Sequence, residues 1–248
     1  MCLIAFHWRP EGPLPLLLAA NRDEFYTRPT VPMAWWDGER ILAGRDLLAG
    51  GTWLGVAPEG RCAAITNYRN PRLTVPDRAS RGQLPVRFLE GTQTAAAFLK
   101  ELRKEADHFN PFNLLLFDGT ELLGYESHPD RMQAFTPGIH AVSNGAFDDP
   151  WPKVQGIKAG LAAQGDDDVS LLALLADARL FEDDQLPGTG VPLELERALS
   201  PAFIRTSTYG TRVATILRLG REAVSVIEQR FSQDGPEGRS EFQFQRRG

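Results

Sequence analysis

The chain has 248 residues, 42% of them hydrophobic and 24% charged, with a net charge of −5. That is enough apolar material for one large domain, read here as residues 1–248. The absence of any block of like charge argues against a nucleic-acid or anionic-membrane partner, and no apolar run is long enough for stable membrane insertion.

CLIAFHW at the start reads as a strand, followed by the turn-rich RPEGP and a second strand in LPLLLAA. LPLLLAA also invites a signal-peptide reading. It is short for that role, is interrupted by Pro13 and Pro15, and follows an uncharged strand-like segment. With only Cys2 and Cys62 there is no disulfide framework, so a cytoplasmic location is expected. If the two strands pair about a turn near Glu11–Gly12, Cys2 falls roughly opposite Asn21, beside the cluster Asn21-Arg22-Asp23-Glu24.

MAWW-DG-ERILAG carries an Asp-Gly hairpin signal, and GGTWLGV-APEG-RCAAITNY reads as a second hairpin ending in Thr66-Asn67-Tyr68. The polar loop NPRLTVPDRASRG then suggests the rim of a binding site. Between Gly82 and His108 the pattern turns helical, with Ala96, Leu99, Leu102 and Ala106 on one face. FNLLLF-DGT-ELLGYES is another hairpin. MQAFT and HAVSN, the latter running into Ser143-Asn144-Gly145, add two strands. PKVQGIKAGLAAQ and VSLLALLADARLF are predicted helices. After an irregular Pro/Gly region, TRVATILRLG, EAVSVIEQRF and RSEFQFQRR alternate as strands. The order of strands, helices, strands, helices, strands predicts an α/β fold with largely antiparallel sheets and segregated helices.

Cys2 is the first chemical candidate. Removal of Met1 is expected ahead of a small second residue, and it would leave a thiol and an α-amine on one residue. Their ordinary pKa values are about 8.5 and about 7.7–8.0, so the neutral amine can take the thiol proton and later return it. Against this stands the plain alternative of a small apolar residue opening a strand. Such chemistry needs groups that orient the amine, donors for an oxyanion and a cation near the thiol. Asn21, Arg22, Asp23 and Glu24 supply these types, though polar clusters after strands are commonly solvated turns. Asn67 and Asn144 each end an apolar strand, where an amide offers two donors and is also a good turn residue. Arg212, in STYGTRVATI, is compatible with a pocket wall. Cys62 reads as core. His7, His108, His128 and His140 show no metal spacing, and no phosphate-loop or dinucleotide motif is present.

MCLIAF, ANRDEFYTRP, GGTWLGV, ITNYR, SNG and STYGTR, in this order and across nearly the whole chain, resemble the NRDE or transport-and-Golgi-organisation family. That family is similar to the N-terminal-nucleophile hydrolases, including cysteine acylases that cut penicillin V and conjugated bile acids. The resemblance implies a four-layer αββα sandwich, Cys2 as nucleophile after loss of Met1, Asn67 as the oxyanion-hole asparagine, Asn144 as a substrate-positioning asparagine and Arg212 as a late arginine near the nucleophile. The acylases carry an arginine and, three residues on, an aspartate. That spacing here selects Asn21 and Glu24, unless Arg22 and Asp23 serve from shifted positions. The expected activity is hydrolysis of an amide or thioester bond in a small acyl substrate, with no cofactor. The alternative is a non-enzymatic carrier of haem, acyl-CoA or lipid, with Cys2 or His7 as a contact to haem.

Overall fold

Side-chain alternation along the first hairpin decides what faces what. In the computed structural model, which describes residues 2–247, strand β1 (Cys2–Trp8) pairs antiparallel with β2 (Leu16–Phe25). Met1, whose removal the sequence leads one to expect, lies outside the described residues. Cys2 stands opposite Arg22, and Leu3 opposite Asn21. The expected pairing of Cys2 with Asn21 is therefore off by one residue. The turn is centred on Gly12, closed by the Arg9 N–H donating to the Pro15 carbonyl at 2.8 Å. A slip of one residue exchanges the faces of a strand, so the correction moves Asn21 away from Cys2. The polar cluster is also not a turn after the strand, because β2 continues through it to Phe25.

Two antiparallel sheets result. The first has the order β10 (Gly138–Val142), β1, β2, β11 (Tyr209–Leu219), β12 (Ala223–Ser232), β13 (Gly235–Gln245). The second runs β3 (Thr30–Trp35), β4 (Leu42–Asp46), β5 (Leu54–Val56), β6 (Cys62–Asn67), β7 (Phe112–Phe117), β8 (Leu122–Glu126), β9 (Arg131–Ala134). The hairpins read from Asp-Gly and Pro-Glu-Gly turns are present with antiparallel pairing.

Ile4, Phe6 and Trp8 of β1 pack against Leu42, Leu54 and Phe117 of the second sheet, so the two sheets lie face to face. The alternate residues Leu3 and Ala5 pack outward on Val154 and Ile157 of α3 (Pro152–Ala163) and Leu171 of α4 (Asp168–Leu175). The outer face of the second sheet, including Ile65 and Leu114, is covered by α1 (Gln83–Glu90) and α2 (Ala95–Leu102) through Phe88, Phe98 and Leu99. The layers are αββα, as expected. Each fully buried Leu or Phe contributes about 1.5–3 kcal/mol, which fixes the facing of every strand.

The apolar stripe of α2 differs from the expected one. Thr94 caps the helix, its hydroxyl accepting from the Ala97 N–H at 3.2 Å, and Ala95, Phe98, Leu99 and Leu102 are buried while Ala96 is exposed. The large Phe98 ring rotates the buried face because burying it gains far more than burying a methyl group. No helix among the described residues is long and apolar enough to cross a membrane.

Candidate active site

A cavity of about 770 Å³ opens where β1 begins and β6 ends. Cys2, Arg22, Asp23 and Glu24 line it from the first sheet, Asn67 from the second, and residues 77–82 of the polar loop form its rim, as the sequence suggested. Cys2 is buried within this wall, and burial pushes its thiol up to about 11. Asp23 and Glu24 add to the rise, while Arg22 opposes it. The thiol is thus neutral near pH 7 and needs a base to become a nucleophile.

Arg22, opposite Cys2 in the ladder, favours the thiolate but is shared with two carboxylates. Its guanidinium lies 3.4 Å from Asp46 and 3.6 Å from Glu24. Arg28 shares Asp46 at 2.9 Å. Burial would raise the Asp46 carboxyl, but the Arg28 bond and the Ala49 N–H hold it below its ordinary value. The cavity wall therefore carries a fixed carboxylate with two guanidiniums around it.

Asp23 is 1% exposed. Its Oδ1 accepts from Thr211 Oγ1 at 2.7 Å, and that hydroxyl accepts from the Ile204 N–H at 2.9 Å. Burial raises the Asp23 carboxyl above its ordinary range, and the nearby Lys153 ammonium is the main opposing influence. Lys153 comes from α3 and is itself buried, donating to the carbonyls of Leu199 at 2.8 Å and Pro201 at 3.5 Å. Burial pushes its ammonium down to about 8, with Asp23 the leading opposing charge. Lys153 was legible only as a polar residue on a helix, because its partner lies 130 positions away in sequence.

Asn21 points away from the cavity. Its Nδ2 donates to Leu175 O and Ala202 O, both at 2.8 Å. Leu175 is the last residue of α4, so Asn21 satisfies a helix-end carbonyl.

Asn67 ends β6 on the cavity wall, and its side chain makes no hydrogen bond among the described residues. Asn144 secures it from behind, with Nδ2 donating to the Asn67 carbonyl at 2.7 Å. Ser143 Oγ lies 3.4 Å from Asn144 Oδ1 and donates to the Cys2 carbonyl at 3.2 Å. These contacts join the Cys2 end of one sheet to the Asn67 end of the other. Arg69 completes the support. Its N–H donates to the Asn144 carbonyl at 2.7 Å, and its guanidinium pairs with buried Glu196 at 2.8 Å, 4.9 Å from the Trp151 ring centre. Thr189 also donates to Glu196. Arg69 lay within the quoted ITNYR, whereas Glu196, in the irregular region, carried no signal.

Arg212 does not line the cavity. It occupies a bulge between Thr211 and Val213, where β11 shifts register against β2. A bulge leaves one residue outside the ladder and re-aims it. The guanidinium accordingly binds the carbonyls of Phe25, Tyr26 and Phe231 at 3.0–3.2 Å. Cys62 sits in the inter-sheet core, where burial pushes its thiol up to about 12. His7 alternates to the opposite face of β1 from Cys2. Among the described residues no group of three or more His, Cys, Asp or Glu is arranged to hold a metal ion.

A family model described as Transport and Golgi organisation 2 matches residues 1–233. Similar curated proteins include the mouse Transport and Golgi organization 2 homolog, 32% identical with 88% of each chain covered. The human Transport and Golgi organization protein 2 homolog is 31% identical, with 94% of each covered. Drosophila melanogaster Transport and Golgi organization protein 2 is 26% identical, covering 96% of this chain and 95% of its own. Among solved structures, a Caenorhabditis elegans N-acylethanolamine-hydrolyzing acid amidase ortholog overlaps 71% of this chain and 86% of its own, at 11% identity and a TM-score of 0.45. The C2A mutant of the conjugated bile acid hydrolase from Clostridium perfringens overlaps 98% of this chain and 97% of its own, at 10% identity and a TM-score of 0.45.

Proposed function

The chain belongs to the Transport and Golgi organisation 2 family, and from that premise we propose that it is an N-terminal cysteine hydrolase of amide or thioester bonds in small acyl substrates. The observation that carries this reading is the placement of Cys2. Of the two cysteines it is the one on the cavity wall, with buried Asp23 on the adjacent strand and the unengaged Asn67 amide across the opening.

In this reading, removal of Met1 makes Cys2 the first residue. Its neutral α-amine takes the Sγ–H proton as Sγ bonds to the substrate carbonyl carbon. The carbonyl electron pair moves to oxygen, and the Asn67 amide donates to the oxyanion. Collapse restores the carbonyl and breaks the C–N or C–S bond, and the ammonium proton goes to the leaving group. Water then attacks the thioester, its proton passing to the amine. The C–S bond breaks, the acid leaves, and Sγ regains its proton. Asp23 orients the amine, with Thr211 holding one carboxylate oxygen. Asn144 fixes the strand end that carries Asn67. The raised thiol pKa explains why the amine is required.

The test is a trapping experiment on the processed protein. Decanoyl N-acetylcysteamine thioester and decanoyl p-nitroanilide are offered, and acid-quenched samples are mapped by mass spectrometry. An acyl group on the N-terminal Cys2 peptide, with turnover lost in Cys2→Ala, is expected. Turnover surviving in Cys2→Ala would refute the nucleophile. Tight binding without any acyl adduct would favour a carrier.

A further inference from the structure

A buried carboxylate stands at the far end of the same cavity. Glu228, on β12, is 1% exposed yet lines the cavity. Three strand steps separate β1 from β12 in the first sheet, so Glu228 lies about 15 Å from Cys2 at the usual strand spacing. Its Oε1 is engaged. It accepts from the Met33 N–H at 2.9 Å and from Arg230 Nη1 at 3.3 Å. Met33 has this N–H to offer because the β3–β4 ladder shifts register between Val31 and Ala34. Oε2 has no hydrogen-bond partner among the described residues. It is bared by Gly44, where an added Cβ would sit 3.7 Å from Oε2 and 3.3 Å from the Val31 carbonyl.

Satisfying the Met33 N–H needs one acceptor oxygen, and a glutamine or a water would serve. A carboxylate does more, since its second oxygen is left facing the cavity as a charged acceptor, and hydrogen bonds to charged groups are the stronger ones. The lining includes Val31, Trp53, Ile65 and Val213 beside the charged Arg22, Arg45 and Asp46.

We infer that Glu228 Oε2 forms a distal subsite, which accepts a hydrogen bond from a hydroxyl or ammonium at the far end of a chain-like acyl ligand. This subsite belongs to the cavity read above as the substrate's, and rests on that reading. The ligand class is an acyl group of roughly ten atoms carrying a donor at its end.

The probes are decanoate, 10-hydroxydecanoate, 10-aminodecanoate (a donor only) and 9-oxodecanoate (an acceptor only), none of which can be cleaved. Binding is measured by calorimetry on the native-sequence protein, on Glu228→Gln and on Gly44→Ala. The native-sequence protein is expected to bind a donor-ended probe at least about tenfold more tightly than 9-oxodecanoate, the worth of one bond to a charged group. Comparing 10-hydroxydecanoate with 10-aminodecanoate tells which donor is preferred. In Glu228→Gln the amide oxygen keeps the Met33 bond and the NH₂ faces the cavity, so the order of 10-aminodecanoate and 9-oxodecanoate inverts. In Gly44→Ala a methyl group comes into van der Waals contact with Oε2 and covers part of it, and the preference shrinks. An unchanged order in Glu228→Gln, equal affinities in the native-sequence protein, or no binding of any donor-ended probe would overturn the subsite. The hydrolase reading fails separately: without an acyl-enzyme but with an inverted order, the subsite stands and the hydrolase falls.

Discussion

Alkylation of Cys2 in a form that retains Met1 isolates what the fold does to the thiol. Such a form is made by inhibiting methionine aminopeptidase during expression. A thiol with an ordinary pKa of about 8.5 is roughly 3% ionised at pH 7. Burial pushes Cys2 up to about 11, which leaves about 0.01% as thiolate at that pH. Because the thiolate is the nucleophile, iodoacetamide should react with Cys2 about 300-fold more slowly than with free cysteine. The rate should climb about tenfold per pH unit toward pH 11, since the group titrates there. Cys62, 2% exposed in the inter-sheet core, should stay unmodified until the protein unfolds. Stopped-time digestion and mass spectrometry read both sites together. In the processed form, a local amine base should lift Cys2 reactivity near neutral pH and flatten its pH dependence. If the Met1-retaining form alkylates as fast as free cysteine, burial does not set the thiol's pKa, and the need for the amine disappears with it.

Asn67→Ala should lower kcat by about 10²–10³-fold with little change in KM, the usual loss for one oxyanion donor; an unchanged kcat contradicts its role. Arg69→Met should destabilise the fold by about 3–5 kcal/mol in urea titration because it strands buried Glu196, and Arg69→Met/Glu196→Leu should recover most of that loss. Asp148 offers a pH test. Burial alone would raise its carboxyl, but bonds from His140 at 2.7 Å and Lys158 at 2.6 Å hold it down, from an ordinary 3.8 to about 2. A depressed carboxylate stabilises above its unfolded pKa and loses that contribution as pH falls. Asp148→Asn should therefore cost about 2 kcal/mol at pH 5, with the difference vanishing near pH 2. His140 is raised by the same bond, so its share is present below its ordinary 6.5 and fades as pH rises past its folded value.

The layers were legible because burial has a period. Apolar alternation and Asp-Gly turns placed most strands, and their order implied two sheets flanked by helices. What was not legible depends on single-residue offsets or on distant packing. Arg212 keeps company with a pocket-like sequence, yet one inserted residue in β11 sends it to four carbonyls away from the cavity. Lys153 and Glu228 read as ordinary surface residues of a helix and a strand. They come to the cavity region only when α3 packs behind β1 and β10 and when the second sheet closes over β12. No local pattern encodes either approach.

The same alternation explains the four-residue cluster on β2. Asn21 and Asp23 share one face, and Arg22 and Glu24 the other. The first pair turns toward the helices, where Asn21 ties down the end of α4 and Asp23 meets Thr211 and the charge of Lys153. The second pair turns into the cavity, where Arg22 reaches Glu24 and Asp46. Cys2 faces the cavity with Arg22, opposite it in the ladder. An arginine and an aspartate at adjacent positions can therefore not stand on one face, as residues with the acylase spacing of three also cannot. What adjacency supplies instead is a division of labour across the sheet. The thiol and the guanidinium share the cavity side, while the buried carboxylate lies on the helix side with Thr211. If Asp23 orients the amine, Asp23→Asn should depress kcat and shift its pH profile, and Asn21→Ala should act mainly on stability, by loosening α4. The reverse pattern would place the amine's partner at Asn21, against the register of the first hairpin.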